Sequence, residues 1–207
     1  LVMYEISSEI RQKIQDAIKE AESQTSAELV AVVTQKSGDY LYISVLIASV
    51  LALLFPFGIL FFFPDMDVFM VYGIQLLAFM FLLLLLTMPP VLRFILPKSL
   101  FIKAAKLKAY ETFDLLGLYK TSNHQAVMIF VSLYEHAIEI ITDSGINAKI
   151  NDTLWQKTIH DFINAIHHDG FEQGYLNAIR EISTLLREHF PIQKDDKNEL
   201  PNTLIEV

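Results

Sequence analysis

The sequence predicts an α/β fold, an α/β/α sandwich around a small mixed sheet, interrupted by a two-helix transmembrane hairpin. Three observations predict it. Residues 41–63 (LYISVLIASVLALLFPFGILFFF) and 68–92 (VFMVYGIQLLAFMFLLLLLTMPPVL) carry no charge, and each exceeds the roughly 18 apolar positions that signal a membrane-spanning helix. Short β-branched runs stand at 28–35, 126–134 and 137–142, the composition of buried strands. Segments of helical periodicity alternate with those runs, so a sheet covered by helices follows.

Taken in order, Ile6, Ile10, Ile14, Ile18 and Ala21 recur at helical spacing among charged residues, giving an amphipathic first helix that ends near Ser23. Residues 28–35 (ELVAVVTQ) read as a nearly fully buried strand. Either apolar run, at about 1.5 Å per residue, crosses a hydrocarbon core of about 30 Å. Pro56 and Gly58 predict a kink in the first run, and Gln75 with Gly73 and Ala78 a helix contact face in the second. Lys36 and Asp39, ahead of the first run, do not make the basic start of a signal peptide. Lys98 to Leu116 is helical by composition, with Gly117 as its stop. The two later strand runs, 126–134 and 137–142, form a β-hairpin followed by the turn Asp143-Ser144-Gly145. Asn151 or Asp152 caps a helix running to about His168, Gly170 breaks it, and a last helix runs from about Phe171 to His189.

The strand at 28–35 has no neighbour in sequence to pair with, so it pairs across the hairpin with the strands at 126–142. The expected organisation is a discontinuous soluble domain at 1–40 and 93–192, spans at 41–63 and 68–92, a short external turn at 64–67, and a polar tail, extended or disordered, at 193–207.

Hydrophobic residues make up 53% of the 207 and mean hydropathy is +0.38, too high for an ordinary soluble domain. Net charge is −8. Asp65 and Asp67 are the only charges between residues 40 and 92, so the remainder sets 16 basic against 22 acidic residues, or −6, which excludes a nucleic-acid partner. There is no Cys, which excludes disulfides and thiolate metal sites. The short connection at 64–67 has no Lys or Arg, whereas Lys36 and Arg93, Lys98, Lys103, Lys106 and Lys108 flank the spans. The positive-inside rule then puts the soluble domain in the cytoplasm.

Several stretches resemble the TPM domain, a bacterial and plastid α/β fold, and its membrane-embedded bacterial branch more closely. Thr25 to Val30 (TSAELV) resembles the family's T-G-x-[QE]-I-V strand entry. Glu135 to Asp152 (EHAIEIITDSGINAKIND) aligns without a gap on D-R-K-x-R-I-E-V-G-x-G-L-E-G-x-L-T-D, and Phe171 to Tyr175 followed by Ile179 resembles F-x-x-G-x-Y-x-x-G-I with one residue fewer. The SL-x-E and IxDxGI patterns at 132–146, and His189-Phe190-Pro191 followed by Asn198 to Pro201, point to the membrane branch. The chain departs from the family where Gly becomes Asp143 and an Arg-Lys pair becomes His136-Ala137, so it lacks the basic residues of an anion-handling role.

The resemblance implies a divalent cation, Ca2+ above all, near one sheet end, a phosphatase activity in some members, and a LemA-type or other TPM membrane protein as partner. The candidate ligands here are Asp143, Asp152 and Glu28, with Asn147 and Asn151 supplying further oxygens. Glu135 and Asp143 stand eight positions apart along one strand, about 26 Å at roughly 3.3 Å each, and cannot share an ion. The simpler roles for the two aspartates are a turn and a helix cap. His160 and His167, seven apart on a helix, do not make a zinc pair, and Trp155 reads as a core anchor. No nucleophile elbow, phosphate loop or dinucleotide glycine pattern is present. The expected function is a non-enzymatic interaction or scaffold module, anchored in the lipid bilayer of a bacterial inner membrane. Alternatives are a metal-dependent phosphatase and a subunit of an oligomeric channel.

Overall fold

A computed structural model describes residues 6–193 and 198–207, leaving aside the side chains of Asp152, His167 and Asp169. The chain forms two compact units, Leu1–Ser37 with Ile102–Val207, and Gly38–Phe101.

The first unit is the mixed α/β domain. Helix α1 (Ser8–Glu22) starts where the Ser7 side chain accepts from the Ile10 N–H, and it buries Ile14, Ile18 and Ala21, one stripe at helical spacing. Strand β1 (Glu28–Thr34) follows, and α5 (Lys98–Leu115) covers the return to β2 (Ala126–Ser132). Gly117, in the left-handed region at φ 66, ends that helix as its lack of a Cβ allows. β3 (Ala137–Thr142), the short α6 (Ser144–Asn147), α7 (Asp152–His189) and β4 (Leu204–Glu206) complete the unit. Gly170, at φ 88 and ψ 172, breaks α7, a backbone region open essentially to glycine.

The sheet order is β3-β2-β1-β4. β1 pairs in parallel with β2 and β4, and β2 is antiparallel to β3. The strand at 28–35 therefore pairs across the hairpin segment as its isolation in sequence requires, with Glu28 opposite Ala126 and Thr34 opposite Ser132. Every residue of β1 and β2 is buried, which is why both read as unbroken apolar runs. One face, with Leu29, Ala31, Val33, Val127, Ile129 and Val131, packs on α1 and α7. The other, with Val30, Val32, Met128 and Phe130, packs on Ala109 and Phe113 of α5. Trp155 lies in the first core as expected, its indole Nε1 without a hydrogen-bond partner among the described residues.

Two expectations for this unit need correction. Residues 193–207, read as a polar tail, supply β4, with Ala31 opposite Leu204 and Val33 opposite Glu206. Three ladder residues are too few for alternation to stand out. Asp143-Ser144-Gly145, read as a turn, is the start of α6, whose N-cap is Asp143.

The second unit contains α2 (Leu41–Phe62), α3 (Val68–Leu86) and α4 (Pro89–Ile95). Asp67 caps α3 by accepting from the Phe69 and Met70 N–H groups, a structural role for one of the two aspartates in the connection. Ser44, Ala48 and Ala52 bury one edge of α2, Val71 and Leu86 the ends of the facing edge of α3. The Ser44 hydroxyl donates to the Leu86 carbonyl at 3.1 Å. Gln75 and Ala78 are half-buried in this seam, but Gly73 faces open space, so it is no part of a contact face. The second apolar run does not form one helix to residue 92. α3 stops at Leu86, because Pro89 and Pro90 lack the N–H that a continuing helix needs and instead occupy the first turn of α4.

Candidate functional site

The candidate ligands gather where β1 and β2 begin and β3 ends. Glu28 opposes Ala126, Val127 opposes Thr142, and the Asp143 N–H donates to the Ala126 carbonyl at 2.9 Å. Glu28 and Asp143 therefore share one sheet end, as an antiparallel relation between β1 and β3 requires. Glu135 lies at the other end of β3, just before Ala137.

Each described side-chain oxygen of these candidates already has a hydrogen-bond partner. One Asp143 oxygen accepts from the Ser144 N–H at 2.6 Å, and the other lies 3.1 Å from His124 Nδ1. The Glu28 carboxylate accepts from the Glu199 and Leu200 N–H groups at 3.0 and 3.3 Å. Asn147 Oδ1 accepts from the Thr142 hydroxyl at 2.6 Å while its amide donates to the Thr142 carbonyl, and Asn151 caps α7. The Asp152 side chain lies outside the described residues, as does that of His167, and His160 is exposed on α7. Among the described residues no group of three or more His, Asp or Glu is placed to hold a metal ion. Hard cations need several converging oxygens; those described here are turned to N–H and O–H donors, so the corner does not fit Ca2+.

Sequence reasoning missed His124. It sits at φ 55, is largely exposed while Asp143 is not, and has its Nδ1 held by the Asp143 carboxylate, leaving Nε2 as its other polar atom. Gly145 permits the arrangement. Its N–H donates to the His124 carbonyl at 2.9 Å, and a Cβ there would stand 2.5 Å from that oxygen and 2.7 Å from the Asn123 oxygen. The D-x-G spacing in the sequence was the available signal; its partner loop, twenty residues earlier, was not.

The carboxyl ends of the parallel strands, where open α/β sheets usually receive ligands, hold a second cluster. Glu135 is buried and accepts from the Ser37 N–H at 3.1 and 3.0 Å. The Ser37 hydroxyl donates to Ser132 Oγ at 2.7 Å, and Ser132 Oγ donates in turn to Glu135. These contacts fix the last residue of the first unit before the apolar hairpin to the β2–β3 turn. Nearby, Thr34 donates to the Val207 carbonyl at 2.7 Å and Arg11 pairs with Glu206 at 2.5 Å, so with Glu28 holding Glu199 and Leu200 the β4 segment is held at both ends of β1.

Comparison with known proteins agrees with this architecture. The NMR structure of BA42 protein from the psychrophilic bacterium Bizionia argentinensis is similar at a TM-score of 0.63 and 21% identity, over 100% of this chain and 99% of that one. No curated protein matches the chain. The family model described as the TPM domain matches residues 94–185. That range takes in α5, β2, β3, α6 and most of α7, and starts where the second apolar run ends. Residues 94–185 thus match the TPM domain, and the sheet they build takes strand β1 from the far side of the apolar hairpin.

Proposed function

We propose that the chain is a membrane-anchored interaction module of the membrane-embedded bacterial TPM branch. In this reading α2 and α3 cross a bacterial inner membrane, and the TPM domain meets a partner, such as a LemA-type membrane protein, at the cytoplasmic surface. One observation carries the anchor. Both helices are long and apolar enough to span, and only 11% and 6% of their most apolar windows are buried. Phe57, Phe61, Phe69 and Leu77 are each more than two-thirds exposed, whereas soluble monomers rarely expose contiguous apolar patches beyond a few hundred Å2. The basic flanks and the acidic 64–67 connection support the cytoplasmic side. An interaction role draws support from carboxylates at both sheet ends that accept backbone N–H groups.

The anchor is tested by alkaline carbonate extraction of membranes from expressing cells. Retention in the pellet is expected, and release would end the reading. A tag in the 64–67 connection should be reached by an impermeant label on intact cells; labelling only after lysis reverses the orientation. Affinity purification from native membranes should bring down a membrane partner.

The metal-dependent phosphatase reading keeps one favourable observation, the His124–Asp143 pair in a positive-φ loop, since such strain gathers at active sites. Turnover of a generic phosphoester that is lost in Asp143→Ala would favour it. An inert protein that co-purifies with membrane partners favours the module.

A further inference from the structure

The surface of α5 that faces away from the sheet carries more than a solvated helix needs. Its buried edge is Phe101, Ala105, Ala109 and Phe113. On the opposite edge Lys103, Leu107 and Tyr110 stand at i, i+4 and i+7, one continuous stripe, with Leu107 63% and Tyr110 49% exposed. Ile102, on the flank of the same helix, is 52% exposed. A helix packed on one face of a soluble domain ordinarily shows polar residues on the other.

Charge distinguishes this stretch from the rest of the chain. Residues 93–108 contain five Lys and Arg and no Asp or Glu. With a total of −8, everything else carries −13. An anionic surface therefore repels most of the molecule and attracts this segment, which begins seven residues after α3 ends. Lysines raise their ammonium groups to phosphates while their stems lie along apolar surface. Tyrosine favours the headgroup level of a bilayer. Clusters of four to eight basic residues beside a span are the sequence pattern of anionic-lipid recognition.

We propose that the outward stripe of α5, Lys103, Leu107 and Tyr110, is a docking surface for anionic phospholipid headgroups. It rests on the membrane-anchor reading, which brings α5 to the bilayer by its short link to α3. The interaction sets how the TPM domain lies on lipid of different composition, a property the anchor alone would not confer.

The test uses the full chain, which has no native Cys, labelled at Glu111→Cys, one turn from Leu107. Label accessibility to an aqueous quencher is read in vesicles of phosphatidylcholine alone and of phosphatidylcholine with phosphatidylglycerol. Accessibility is expected to fall severalfold when the anionic lipid is present. Lys98→Gln with Lys103→Gln should abolish that difference, weakening the surface partition roughly 25-fold at about fivefold per lysine. Lys106 is spared because it also acts on Glu139. Equal accessibility in both vesicles, or a difference that survives both substitutions, overturns the proposal. So does protection that appears in native membranes but not in phosphatidylglycerol vesicles, which assigns the stripe to a protein partner. Flotation of the same samples separates the two readings. Flotation with both vesicles but no lipid effect overturns the α5 surface alone, flotation only with anionic vesicles overturns the anchor alone, and no flotation overturns both.

Discussion

The Tyr175 hydroxyl, on the last helical stretch of the chain, lies 3.1 Å from the carbonyl of Val32 in the central strand β1, and 3.3 Å from that of Ile129 in β2. Tyr175 is fully buried, and its ring packs against Phe162 and Phe171 on either side of the Gly170 break. One side chain thus ties both arms of α7 to the two strands that the apolar hairpin separates in sequence.

Tyr175→Phe should lose about 1 kcal/mol in urea unfolding, the ordinary net worth of a neutral hydrogen bond. Burial pushes the Tyr175 hydroxyl pKa well above its usual value. Below about pH 10 both folded and unfolded chains keep the proton and the contribution is whole. Above that, the unfolded chain ionises while the folded one does not, so stability falls as pH rises. The Phe variant should show a shallower alkaline decline, by about one proton.

Glu28→Gln weakens the acceptors of the Glu199 and Leu200 N–H groups. Hydrogen exchange at residues 199–206 is expected to quicken about tenfold, with the amides of β2 unchanged. A calcium titration by calorimetry should give no heat for the unsubstituted chain. Heat that disappears in Glu28→Gln would restore Glu28 as a ligand.

Glu135→Ala leaves the Ser37 N–H and the Ser132 hydroxyl without the carboxylate they reach in a buried setting. A loss of about 2–3 kcal/mol follows for hydrogen bonds to a charged group. Ser37→Ala, which removes only the hydroxyl link to Ser132, should cost less than half as much by the same unfolding measurement.

Gly145→Ala drives a methyl group into the carbonyl oxygens of His124 and Asn123. Backbone oxygens retreat only if the loop moves, so a destabilisation of about 1–3 kcal/mol is expected. Gly58→Ala, where a Cβ meets nothing within 4 Å, is the control and should be tolerated.

Periodicity and composition settled the elements that own their burial. The uninterrupted apolar runs of β1 and β2, the stripe of α1, the two long apolar helices and the glycine stops at 117 and 170 were legible because each signal is local. The separation of Asp143 from Glu135 was legible too, since strand length fixes it. Tertiary structure decided what the carboxylates do. Whether Asp143 faces an ion or His124 depends on a loop 19 positions away, and whether Glu28 is a ligand or a clasp depends on a segment 171 residues later. It likewise turned the polar tail into β4, because three residues become a strand only when β1 offers its edge. Sequence alone records which groups can bond; the contacts between distant segments choose their partners.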